Sequence, residues 1–219
     1  VSYQFGPGPL TPGVRAIIYT NVALFAVTLV SSTWLISWLG LAPEQVVTRG
    51  FAWQLFTYQF LHQDALHILF NMLFVWMFGV DLERRWGLHA FLKYYLIVGT
   101  TAGVCATIAS LLPLASAEAS YYSVTIGASG AVYGLMMAWA IIFPHRTILF
   151  FGIVPMPARV FVLITGAISL SYAMGAGGGS NVSHLAHLGG LVAGWLYLKQ
   201  PVKRPPPPRP RPDYLRRVH

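Results

Sequence analysis

The chain has 219 residues, 56% of them hydrophobic and 9% charged, with a mean hydropathy of +0.61. Six acidic and 14 basic side chains cannot clothe a water-soluble protein of this size, so a soluble globular domain is excluded and a membrane-embedded one is indicated. The formal charge of +8 does not point to nucleic acid, because seven of the 14 basic residues (Lys199, Lys203, Arg204, Arg209, Arg211, Arg216 and Arg217) lie in one tail, which suits anionic lipid better than a polynucleotide groove.

The first 14 residues, rich in Gly and Pro, lack the charged start and apolar stretch of a signal peptide, so the first hydrophobic run is expected to be a true span. Crossing the hydrocarbon takes about 20 mostly apolar residues. Six runs are predicted as helices: Ala16 to Leu39, Leu66 to Val80, His89 to Leu112, Gly127 to Phe143, Ala158 to Met174 and His184 to Leu198. Between the first two, Gly40 to Ala65 interleaves Trp53, Phe56, Tyr58 and Phe60 with polar residues, the pattern of a segment lying in the membrane interface. The single cysteine, Cys105, excludes an intramolecular disulfide and reads as a small core residue. Beyond Lys199, the run Pro205 to Pro208 favours extended, solvated chain. The expected organisation is a short cytoplasmic segment (1–14), an all-α domain of six transmembrane helices around a polar cavity (15–199), and a disordered cytoplasmic tail (200–219). With both termini inside, 13 basic residues face the cytoplasm and only Arg49 faces out, as the positive-inside rule requires.

Ionisable and amide side chains within a bilayer are costly and mark candidate sites. Here they cluster: His62, His67 and Asn71 around the start of the second run, Ser129 at the start of the fourth, and His184 and His187 at the start of the sixth. Taken singly, such a serine is an ordinary helix cap and such a histidine an ordinary packing residue. Even-numbered spans all begin at the outer face, however, so these stretches deliver their polar groups to one depth.

The set suits acyl transfer, in which a serine oxygen attacks a carbonyl while an imidazole removes its proton. Ser129 lies in Gly127-Ala128-Ser129-Gly130, where small neighbours admit a substrate backbone, and its amide at a helix start can face a developing oxyanion. His67 and Asn71, four apart on one helix face, can both donate to that oxygen. Gly130 with Gly134, and Gly190 with Gly194, form two Gly-x-x-x-Gly stripes that would let the fourth and sixth helices approach closely enough for Ser129 to meet His187. The acids near this level, Asp64 and Glu118, lie in loop-like sequence, so a dyad is expected rather than a triad. Tyr133, one turn after Ser129, can fix the His187 ring by stacking.

Gly127-Ala128-Ser129-Gly130 with Tyr133, His67-Ile68-Leu69-Phe70-Asn71, and His184-Leu185-Ala186-His187-Leu188-Gly189-Gly190 resemble, in order and spacing, the three signature stretches of rhomboid intramembrane serine proteases. The resemblance runs from about Trp53 to Trp195. It implies Ser129 as nucleophile, His187 as base, and His67, Asn71 and the Ser129 amide as the oxyanion hole, with no cofactor and no metal. It further implies single-span membrane helices as substrates, cut near the outer face through an acyl-enzyme, and a wet cavity capped by the glycine-rich loop Gly175 to Ser180. The expected location is a bacterial inner membrane. One departure stands out: the first-loop Trp-Arg pair of many members is Trp53-Gln54 here, which removes an Arg tie and leaves the rigidity of that segment open.

Two rival readings exist. An inactive rhomboid-like protein would bind membrane helices without cutting them, but Ser129 and His187 are both present. A metal site built from His62, His67, His184 and His187 would leave Ser129 unexplained, and the chain has no His-Glu-x-x-His motif.

Overall fold

The computed structural model describes residues 6–112, 115–150, 154–174 and 182–199; the loop 175–180 and the tail from 200 onward, both singled out in the sequence, lie outside them. Among the described residues the chain is mostly helical. Helix α1 (Pro12–Leu39) opens the fold and is kinked at Ser31, whose φ of −133° and ψ of 41° are not helical. Pro12 at the first turn lacks an N–H, and the following N–H groups of Gly13 and Val14 donate to the Glu83 carboxylate at 2.8 and 2.9 Å. The Thr11 hydroxyl donates to the same carboxylate. Three donors thus satisfy a glutamate only 4% exposed. This lets α4 (Ala65–Trp86) continue past Val80, where the sequence run was expected to end.

Between α1 and α4 the interfacial segment folds as α2 (Pro43–Arg49), α3 (Gln54–Thr57) and a 3-10 turn (Tyr58–Phe60). The Gln54 side chain is fully buried: its Oε1 accepts the Ala42 N–H at 3.1 Å and its Nε2 donates to Gln45 Oε1 at 2.9 Å. Its Nε2 also donates to the Ser37 carbonyl at 3.3 Å. The amide therefore ties the end of α1 to α2 at the position where the sequence lacks an Arg. Stacked rings of Trp38, Phe51 and Trp53, with Phe51 and Trp53 centroids 4.5 Å apart, brace the same corner.

Gly87 separates α4 from α5 (Leu88–Ser110); α6 (Ala115–Tyr121) and α7 (Ser129–Ile142) follow. The sequence reading placed no strands, yet β1 (Thr147–Phe150) and β2 (Val154–Pro157) pair antiparallel, with Ile148 opposite Met156. Arg146, just before β1, pairs with Asp81 of α4 and stacks over the Phe143 ring at 4.5 Å. Helices α8 (Ala158–Ala173) and α9 (Val182–Lys199) complete the described chain. Among the described residues three helices are long and apolar enough to cross a membrane, over Pro12–Ser31, Ala65–Trp86 and Leu88–Ser110; Ser129–Ile142 and Ala158–Ala173 are apolar but shorter.

Helix α9 packs against α7, α5 and α8, while α7 also touches α4. Fully buried Val75, Tyr94, Val98 and Leu135 lie at the centre. The two glycine stripes meet there. A Cβ on Gly190 would overlap the Gly130 carbonyl, and one on Gly194 would sit 3.1 Å from the Gly134 Cα, so any larger residue would force α7 and α9 apart. Cys105 is only half buried, not the enclosed core residue expected, because α5 turns part of this position outward.

Candidate active site

Ser129 is the first residue of α7, and the turn before it is set by Gly127 at a φ of 125°, a region that L side chains avoid. The interfacial segment pins this turn: the Gly127 N–H donates to the Tyr58 carbonyl at 3.0 Å, and the Ala128 N–H points to His62 Nε2 at 3.5 Å. Tyr58 is itself fastened to α5 through its hydroxyl, which donates to the Gly99 carbonyl at 2.8 Å. His62 thus meets the loop at Ala128, the residue before Ser129. Burial first, and the neighbouring His67 ring second, hold its imidazole neutral down to about pH 3, in keeping with a ring nitrogen that accepts a backbone N–H.

From α9, His187 reaches Ser129: Nε2 lies 2.7 Å from the serine Oγ. The Tyr133 ring, one turn along α7, lies parallel to the imidazole at a 4.3 Å centroid separation and an angle of 5°. Ser169 of α8, which the sequence reading passed over, approaches from the other side, 3.1 Å from the Tyr133 hydroxyl and 3.5 Å from His187 Nδ1. A serine in an apolar helix carries no warning in the sequence, since its hydroxyl ordinarily bonds a carbonyl one turn back. His184 stacks on Tyr172 at 4.8 Å and meets His187 edge-on at 5.6 Å.

His67 stands across the Gly127 turn. A Cβ built on Gly127 would lie 2.7 Å from His67 Nε2 and 3.8 Å from Ser129 Oγ, so imidazole and hydroxyl flank one small space that only glycine leaves open. The His67 Nδ1 accepts the Gln63 N–H at 3.4 Å, which leaves the proton on Nε2, facing that space. Asp64 caps α4 by accepting the His67 N–H at 2.8 Å. One hydrogen of the Asn71 amide goes to the His67 carbonyl at 2.9 Å, so the side chain lies along the helix face that carries His67. Its second amide hydrogen is a further donor on that face. Gly130, Gly134, Gly190 and Gly194 supply the close helix approach behind the pair. Among the described residues no three His, Cys, Asp or Glu side chains are grouped to hold a metal ion.

The arrangement can take a proton from a serine, stabilise an oxygen anion beside it, and keep its imidazole in a fixed plane. Known proteins point the same way. The Rhomboid domain family matches residues 49–201. Rhomboid protein 1, mitochondrial, of Saccharomyces cerevisiae is 28% identical over 84% of this chain and 51% of its own length. Rhomboid protease GluP of Bacillus subtilis is 28% identical over 72% of this chain and 27% of its own length. Putative rhomboid protease YdcA of the same organism is 29% identical over 68% and 67%. This chain thus spans about half of the first relative's length and about a quarter of the second's. With a match over most of its length, apolar helices and three signature stretches on one face, the chain is an integral membrane protein that belongs to the rhomboid family.

Proposed function

We propose that this chain is an intramembrane serine endopeptidase that cuts single-span membrane proteins near the outer face of a bilayer. The observation that carries the reading is the 2.7 Å contact between Ser129 Oγ and His187 Nε2. In this account His187 Nε2 accepts the serine proton as Oγ attacks the substrate carbonyl, then returns it to the leaving amine, and a water repeats the cycle on the acyl-enzyme. The oxyanion is held by the Ser129 N–H, His67 Nε2–H and Asn71 Nδ2–H. Protonated His187 accepts nothing, so activity falls at acidic pH.

The wider setting belongs to the same proposal: six spans formed by α1, α4, α5, α7, α8 and α9, both ends cytoplasmic, and a bacterial inner membrane. The 13-to-one distribution of basic residues supports that orientation. Helix α7 has 14 residues, roughly 21 Å at 1.5 Å per residue, against about 30 Å of hydrocarbon. A helix this short starts below the outer surface, which sinks Ser129 into a wet recess. A substrate helix has every backbone carbonyl bonded internally, so it must unwind locally before one can be attacked.

The test is cleavage of a model transmembrane substrate by purified protein in detergent. Ser129→Ala is expected to lower kcat by on the order of 10⁴ or more with the fold intact. Cleavage by Ser129→Ala at the unmutated rate overturns the proposal. A protein that only binds membrane helices would show no cleavage in either form.

A further inference from the structure

We propose that Ser169 of α8 is a positioning residue for His187, accepting the Nδ1 proton and thereby fixing the tautomer that presents a bare Nε2 to Ser129. The inference rests on the protease reading and goes beyond it, since Ser129, His187 and Tyr133 alone do not determine which ring nitrogen carries the proton. A neutral imidazole has one N–H. The 2.7 Å contact at Nε2 serves proton removal only when that nitrogen is unprotonated, so the hydrogen must be on Nδ1. Among the described residues the partner offered to Nδ1 is the Ser169 hydroxyl at 3.5 Å, on a side chain 1% exposed.

The direction of the bonds is consistent around the group. Ser169 Oγ–H donates to the Tyr133 hydroxyl at 3.1 Å, which leaves the serine lone pairs free to accept from His187. Tyr133 closes the set through its parallel stack on the imidazole. Stacking fixes the plane of the ring, and the hydroxyl fixes its rotation within that plane. A hydroxyl at this place does part of what a carboxylate does in a triad, with no buried charge to accommodate.

At 3.5 Å the bond is long at rest. When His187 takes the serine proton it becomes a charged donor, and charged donors make shorter, stronger hydrogen bonds. The contribution therefore belongs to the transition state more than to substrate binding. Helix α8 is held in register for this by a second contact. Tyr172, three residues after Ser169, stacks on His184, three residues before His187. Antiparallel helices bring these two pairs together, so a shift of α8 would take Ser169 from His187 and Tyr172 from His184 at once.

The experiment is the rate of covalent labelling by a fluorophosphonate across probe concentrations, for the unmutated protein, Ser169→Ala and Ser169→Thr, with detergent melting temperatures alongside. Ser169→Ala is expected to lower the maximal labelling rate about tenfold, at an unchanged half-saturating probe concentration and unchanged melting temperature. Ser169→Thr, which keeps the hydroxyl, is expected to recover most of the rate. A Ser169→Ala protein that labels at the unmutated rate overturns this inference alone, as does equal slowing by Ala and Thr. An unmutated protein that takes no label overturns the protease reading and this inference with it.

Discussion

The two ends of the helix bundle are built from different chemistry. Where α4, α7 and α9 begin, the working contacts are among neutral groups: Ser129 with His187, Ser169 with Tyr133, and imidazoles against aromatic rings. The nearby Asp64 is occupied in capping α4 through the His67 N–H. Where α4 and α7 finish, carboxylates do the joining: Glu83 collects the first N–H groups of α1, and Asp81 pairs with Arg146 and accepts from the Trp139 indole at 3.2 Å. A fixed charge suits a joint that never changes. Beside His187 the contacts among the described residues are instead with uncharged hydroxyls and a phenol ring.

Substitutions at the two ends should therefore separate rate from stability. The largest effect is expected at the starting end. His67→Ala removes a donor facing the Gly127 space and is predicted to lower kcat by about 10²–10³, with little change in melting temperature. A loss confined to KM would mean that His67 binds substrate without stabilising the oxyanion. Next comes the joint between α7 and α9. Gly190→Val sets a side chain against the Gly130 carbonyl and is expected to cost about 1–3 kcal/mol in stability. By moving Ser129 away from His187 it should also lower activity about 10²-fold. Wild-type activity in that variant would show that close glycine packing is not what brings the pair together. The smallest effect on rate belongs to the opposite end. Glu83→Gln keeps one acceptor for the start of α1 but loses the charge, and should lower stability by about 1–3 kcal/mol while kcat stays unchanged well below the melting temperature. A fall in kcat there would erase the contrast between the ends.

Much of this was legible in the sequence, for a physical reason. Lipid penalises polar side chains, so His67, Asn71, Ser129 and His187 stand out against apolar neighbours, and the glycine stripes at Gly130, Gly134, Gly190 and Gly194 stand out against bulky ones. Tyr133 followed from its place one turn after Ser129, and its ring is parallel to His187. What escaped notice depends on partners distant in sequence. Ser169 looks like any helical serine until α8 is packed against α9. Helix α4 runs on through Asp81 and Glu83 because partners from α1 and from the chain after α7 meet those carboxylates, and hydropathy along one segment cannot register that. Gln54 seemed a lost anchor only by comparison with an Arg; its buried amide reaches both α1 and α2. The β1–β2 hairpin was missed because its strands are four residues each and one carries two prolines, a composition that reads as loop.

The central claim is that the hydroxyl of Ser129 is activated by the imidazole of His187. Mass spectrometry of the protein after fluorophosphonate treatment tests it most directly, comparing the unmutated chain with His187→Ala. The account predicts a single phosphonyl adduct on Ser129 in the unmutated chain and none in the variant. An adduct at another residue, or equal labelling of Ser129 in both proteins, would contradict it.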